Sequence, residues 1–103
     1  MGERSDRQAD GSIPFWSTNS PYMPYFMYVL MSESTNSSYV GHTSNLERRL
    51  FEHNNGKSLS TRGKRPWRLA YMEEYATRSE AAVREKYYKS VNGRLELRAM
   101  GVL

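Results

Sequence analysis

Tyr25-Phe-Met-Tyr-Val-Leu-Met31, the polar stretch Ser32-Glu-Ser-Thr-Asn-Ser37 and Ser38-Tyr-Val-Gly-His-Thr43 decide the fold. The first piece is a short, continuous apolar run rich in aromatics, and its length suits a buried strand. The second is turn-forming, and the third reads as another strand. Together they predict a β-hairpin with a loop of about five residues.

Helical signals follow the hairpin. Ser44 or Asn45 can cap a helix running to about Asn54, and Asn55-Gly56 can end it through a left-handed residue. After a loop containing Gly63 and Pro66, Trp67 to Tyr75 alternates well enough for a third strand. Thr77 or Ser79 then caps a second helix to about Val91, which Asn92-Gly93 is expected to break. Arg94 to Leu103 is a candidate final helix. The order is ββαβα with that candidate C-terminal helix, an α+β layout in which helices cover a small antiparallel sheet.

Residues 1–22 are polar and aperiodic, with Ile13, Phe15 and Trp16 as their large apolar side chains. They read as a disordered leader or as vector-derived sequence. The folded domain is expected over residues 23–103.

The chain has 103 residues, which argues for one domain, and its 38% apolar and 13% aromatic content supplies one modest core. The absence of cysteine excludes disulfides, thiolate metal sites and a cysteine nucleophile. The longest apolar run, Tyr25 to Met31, is far short of a membrane span. No charged start leads into an apolar segment, so no secretion signal is expected and a cytoplasmic location is the default. The net charge of +4 is mild evidence for an anionic partner. Its distribution says more, because Lys57, Arg62, Lys64, Arg65 and Arg68 crowd one segment that has no acid. That segment is either a solvated basic loop or a phosphate-contacting one.

Three sets of polar residues sit where a plain core pattern would not put them. At 100° per residue, Leu46 and Leu50 define the buried stripe of the first helix. Arg49 and His53 fall beside that stripe and, four apart, are neighbours. Arg49 could simply snorkel and His53 could be a hydrogen-bonded rim residue. On the second helix Glu80 shares a face with Val83, Tyr87 and Val91. There it could complement the helix dipole, or point into a cleft and hold a metal. Tyr28 and Tyr39 lie on the two arms of the hairpin, where an aromatic pair would also pack. Gly41, on the same strand face as Tyr39, allows a close approach to the backbone by a helix or a phosphate.

Taken together, these features resemble the GIY-YIG nuclease domain over roughly Pro24 to Leu103. Tyr39-Val40-Gly41 followed by His42-Thr-Ser-Asn-Leu-Glu-Arg-Arg49-Leu matches the second half-motif. Phe26-Met27-Tyr28 stands for the first, with its glycine replaced and its tyrosine kept. Arg65-Pro66-Trp67-Arg-Leu-Ala-Tyr71 and Arg78-Ser-Glu80-Ala-Ala-Val-Arg-Glu-Lys-Tyr-Tyr-Lys89 look like the short, stand-alone members. By motif position the resemblance makes Tyr28 and Tyr39 the active-site tyrosines, Arg49 the catalytic arginine, His53 a catalytic histidine and Glu80 the metal-binding glutamate. His42 replaces a lysine often found there, which leaves open which group supports the tyrosine acting as base. The resemblance also implies a three-stranded antiparallel sheet flanked by helices and one divalent cation, Mg²⁺ or Mn²⁺.

The chemistry expected is hydrolysis of a phosphodiester in DNA. Arg49 would present a planar fork to the phosphate. A tyrosine is a poor base at neutral pH unless cations favour its phenolate, and the metal, Arg49 and a protonated His53 could supply that field. His42, Lys57, Arg62, Lys64, Arg65 and Arg68 are the candidates for nucleic-acid contact. A domain this small leaves specificity weak, structural, or dependent on a protein partner or a dimer. The runner-up reading is a nucleic-acid-binding module on the same fold without catalysis.

Overall fold

A computed structural model describes residues 22–103. The leader expected over residues 1–22 lies outside the described residues except for Tyr22, whose hydroxyl donates to Glu74 Oε2 at 2.6 Å. Three strands form the sheet: β1 (Tyr25–Ser32), β2 (Ser38–Thr43) and β3 (Trp67–Tyr75). Three α-helices accompany them: α1 (Leu46–Asn54), α2 (Arg78–Lys89) and α3 (Val91–Ala99), so the candidate C-terminal helix is present. The expected α+β arrangement holds, with an antiparallel sheet in the order β2-β1-β3.

The central strand explains the apolar run. Met27, Tyr28, Val29 and Leu30 are all buried because helices cover both faces of β1. A strand buried on both sides reads as continuous rather than alternating hydrophobicity. On one face, Met27, Val29 and Val40 pack with Tyr88 of α2 and Leu97 of α3. On the other, Tyr28, Leu30 and Trp67 pack with Tyr39 and with Leu46 and Leu50 of α1.

The caps fall close to the sequence reading. Asn45 caps α1, its side chain accepting from Arg48 N at 3.0 Å, and Gly56 follows the helix with φ +75°. Thr77 caps α2. The break between α2 and α3 differs from expectation. It falls at Ser90, whose hydroxyl donates to Tyr87 O at 2.5 Å and accepts from Gly93 N at 3.1 Å. Gly93 is not a breaker but part of the first turn of α3. A Cβ there would collide with the Tyr87 carbonyl oxygen, so glycine is what lets the two helices approach this closely.

The face predicted for α2 also needs correction. Ala81 and Tyr88 are its buried residues, while Glu80 and Val83 are exposed. The true stripe lies one residue along from the expected one, about 100° around the helix. Glu80 therefore does not point into the core.

Candidate active site

Four of the residues singled out from the sequence meet on the α1 side of the sheet. Tyr28 comes from β1, Tyr39 from β2, and Arg49 and His53 from α1. The cross-strand register makes this possible. Tyr28 pairs with Gly41, and a Cβ on Gly41 would stand 2.6 Å from the Tyr28 hydroxyl and 2.8 Å from its ring carbon Cζ. The group that approaches the Gly41 backbone is thus the phenol of Tyr28, rather than a helix or a phosphate.

The Tyr28 hydroxyl lies 3.2 Å from His53 Nε2, and both side chains are almost wholly buried. Burial pushes the phenol up to about 12, with the Tyr39 phenol adding to the rise and Arg49 pulling the other way. Burial also drives His53 down to about 4, reinforced by the neighbouring Arg49. His53 is therefore neutral at physiological pH. Desolvation thus works against the protonated His53 expected to help ionise a tyrosine. Tyr39 packs edge-on against His53, with ring centroids 4.7 Å apart, and against Tyr28 at 6.1 Å. Its hydroxyl has no hydrogen-bond partner among the described residues.

Arg49 does not merely snorkel. Its guanidinium donates to Glu52 Oε1 at 2.9 Å, which fixes the fork beside Tyr28 and holds Glu52 below the usual carboxylate range. A cleft between α1 and β3, lined by Tyr28, Leu30, Leu46, Arg49, Leu50 and Leu69, adjoins the cluster.

Two further residues complete the surroundings and carried no sequence signal. Thr61 is buried, and its Oγ1 stands 2.8 Å from His53 Nδ1. Its carbonyl accepts from Trp67 Nε1 at 2.8 Å. Asn54, the last residue of α1, grips the Trp67 backbone through both amide atoms, at 2.6 and 3.0 Å. The basic loop is thereby pinned to the α1 side of the sheet at Thr61 and at Trp67. Within it a short 3-10 turn, Arg62–Lys64, presents Arg62 and Lys64 as exposed side chains. Lys57 and Arg68 are also exposed. Arg65 folds back, donating to Arg62 O at 2.6 Å and packing over Gly56.

His42 and Glu80 do not join the cluster. Because β2 alternates, Tyr39 and Gly41 share one face and His42 takes the other, where its Nδ1 meets Glu85 Oε1 at 2.5 Å. Glu80 forms a capping box at the start of α2. Its Oε1 accepts from the Thr77 backbone N–H at 3.1 Å and from the Thr77 hydroxyl at 3.0 Å. It lines a separate cleft with Tyr75, Ser79, Val83 and Arg84.

The GIY-YIG catalytic domain matches residues 24–98 of this sequence. The chain belongs to the GIY-YIG family. Members of this family are typically nucleases, which act on nucleic acid. Among its relatives is a UPF0213 protein of Bacillus licheniformis, 38% identical over 76 residues and covering 73% of each chain. A UPF0213 protein of Clostridium perfringens is 40% identical over 75 residues, covering 70% of this chain and 80% of its own. The solution structure of a UPF0213 protein from Bacillus halodurans superposes with a TM-score of 0.47 at 30% identity, over 76% of this chain and 85% of that one. No helix among the described residues is long and apolar enough to cross a membrane.

Proposed function

We propose that this GIY-YIG domain is a divalent-metal-dependent endonuclease that hydrolyses phosphodiester bonds in DNA. The observation that carries the reading is the buried hydrogen bond between the Tyr28 hydroxyl and the neutral His53, beside an Arg49 held by Glu52. Any buried phenol needs a hydrogen-bond partner; what favours proton transfer here is that the partner is an imidazole, with an arginine fork held alongside.

In the mechanism proposed, Arg49 binds the scissile phosphate through its planar fork and offsets the charge that builds on it. Tyr28 remains a phenol at rest, since burial holds its pKa high. It can accept a proton from the attacking water only by passing its own to His53 Nε2. That transfer leaves the phenol neutral throughout and makes His53 the transient acceptor. Tyr39, with its hydroxyl uncommitted, orients the water or a phosphate oxygen. Exposed Arg62 and Lys64, with Lys57 and Arg68, contact flanking phosphates.

Glu80 is the residue that would hold Mg²⁺ or Mn²⁺, in the cleft it shares with Tyr75 and Arg84, so the substrate would have to span from that cleft to Arg49. Its Oε1 is engaged by Thr77, while its Oε2 has no hydrogen bond among the described residues. No group of three potential metal ligands gathers among the described residues. One free carboxylate oxygen suits a cation that keeps most of its water and takes further ligands from substrate phosphate, as Mg²⁺ does. Such a cation, when bound, neutralises phosphate charge and lowers the pKa of a bound water.

The test is incubation of the purified chain with plasmid, branched and single-stranded DNA in Mg²⁺, with and without EDTA. Cleavage that EDTA stops supports the proposal. Binding without cleavage on every substrate assigns the chain to a non-catalytic nucleic-acid module. Specificity from a protein partner or a second copy would appear as cleavage that requires the added component.

A further inference from the structure

Thr61 belongs to no motif of the family match, yet it is buried against the one histidine of the cluster. Its hydroxyl and the Tyr28 phenol, on the two sides of the ring, together bear on which imidazole nitrogen carries the proton. Tyr28 is almost wholly buried and its neighbour Arg49 can only donate, so among the described residues the Tyr28 O–H has His53 Nε2, at 3.2 Å, as its acceptor. That nitrogen must then be bare. The single proton of a neutral ring sits on Nδ1 and points at Thr61 Oγ1, 2.8 Å away. Thr61 in turn directs its own hydroxyl hydrogen towards the Ser58 carbonyl at 3.4 Å. The chain of donors runs one way, from Tyr28 through His53 and Thr61 to a backbone oxygen.

We infer that Thr61 is a positioning residue, whose hydroxyl locks His53 in the Nδ1–H tautomer with Nε2 bare and aimed at Tyr28. The hydroxyl stays in place because its backbone is held twice. The Thr61 carbonyl accepts from Trp67 Nε1, and its N–H donates to Ser58 O at 3.2 Å. Thr61 also directly precedes the Arg62–Lys64 turn, its carbonyl accepting from Lys64 N at 3.1 Å, so the exposed cations of the basic loop follow immediately on the residue that touches His53. An imidazole free to choose its tautomer would present Nε2–H to Tyr28 for part of the time, and that form cannot accept a proton. Partners that orient a functional histidine in this way are worth about 10- to 100-fold in activity where they have been removed from metal-binding histidines. The catalytic consequence rests on the nuclease reading, whereas the tautomer does not.

The experiment is long-range proton–nitrogen correlation of the imidazole rings in the isotope-labelled chain at neutral pH, combined with cleavage assays. The sequence contains only two histidines, so the ring signals are readily assigned. Wild type is expected to show His53 as the Nδ1–H tautomer. Thr61→Val keeps the shape and removes the hydroxyl. It should populate the Nε2–H form and lower cleavage by about 10- to 100-fold, and Thr61→Ser should restore both. A folded Thr61→Val chain that keeps a pure Nδ1–H His53 overturns the inference. Should Thr61→Val fail to fold, the wild-type and Thr61→Ser spectra still decide, because an Nε2–H His53 in either contradicts it. A wild-type chain that cleaves nothing would refute the nuclease reading while leaving the tautomer measurement intact.

Discussion

Gly41 stands directly opposite Tyr28 across the β1–β2 ladder, and a Cβ at Gly41 would lie 2.6 Å from the Tyr28 hydroxyl oxygen. The glycine of the Tyr39-Val40-Gly41 motif is therefore the space into which the phenol settles on its way to His53. Gly41→Ala should push the ring aside and lengthen the Tyr28–His53 hydrogen bond. Overpacking of this kind costs about 1 to 3 kcal/mol, and a displacement near 1 Å costs about 100-fold in rate. Thermal melting and cleavage assays measure the two effects. A Gly41→Ala chain that cleaves like wild type would show that the position of the phenol is unimportant.

Glu80 faces a sharper alternative, because its capping box is a sufficient structural role. Glu80→Gln retains an oxygen for the cap and loses only the charge. As a helix-terminal charge, Glu80 would contribute about 0.3 to 1 kcal/mol and nothing to rate. As the metal ligand, its replacement should nearly abolish cleavage while leaving DNA binding intact. Measured together, rate, melting temperature and binding separate the two roles, and retained cleavage would remove Glu80 from the site.

Much of the fold is legible in the sequence, for reasons the structure makes plain. The hairpin, the span of β3 and both ends of α1 follow from local signals: an apolar run, alternation, Asn45 as cap and Gly56 at φ +75°. Tyr28, Tyr39, Arg49 and His53 are legible because strand and helix periodicity put them on inner faces. The position of His42 is also open to that argument. Alternation alone separates it from Tyr39 and Gly41, and only the motif order draws it towards the site. The inward face expected for Glu80 fails because Val83 and Val91 are exposed apolar residues that mimic a core stripe. Thr61 is not legible at all. It lies in a polar loop and acquires its role through contacts with His53 and Trp67 that no local pattern encodes.

Stability should fall in two stages on acidification. The folded-state pKa of His53 is depressed from 6.5 to about 4, so the unfolded chain binds the proton first. The stability it contributes is complete above 6.5 and is lost as the pH falls towards 4. Glu73 acts lower down. Burial pushes its carboxyl up, but hydrogen bonds from Arg84, Tyr75, Tyr71 and Tyr88 outweigh burial and hold it down at about 2, against an ordinary 4.5. Its contribution is present above 4.5 and disappears as the pH falls through that range. Urea unfolding across pH should show the upper stage in wild type and not in His53→Gln. A flat profile between pH 6.5 and 4.5 would mean that His53 is not held neutral by the fold.

The basic loop should add affinity without reading sequence. Arg62 and Lys64 are exposed on the turn that Thr61 anchors, whereas Arg65 is engaged in holding the loop together. Replacing Arg62 and Lys64 with alanine should weaken binding equally on unrelated DNA sequences. The log–log salt dependence should flatten by roughly 0.7 to 0.9 for each phosphate that is no longer neutralised. Titrations at several salt concentrations would show this, and an unchanged slope would place the loop away from the phosphates.

The central claim is that the buried Tyr28–His53 pair, with Arg49, is a hydrolytic site and not a packing arrangement. Tyr28→Phe tests it most directly, because the ring stays between Gly41 and α1 and only the hydroxyl is lost. The bare His53 nitrogen left behind should cost about 1 to 3 kcal/mol of stability, which melting would register without loss of the fold. Nucleic-acid binding should persist. The decisive reading is the Mg²⁺-dependent, EDTA-sensitive cleavage rate of wild type against this variant. The account predicts a fall of at least about 100-fold, the scale of removing one group that acts in the transition state. A folded Tyr28→Phe chain that cleaves DNA at the wild-type rate would contradict it.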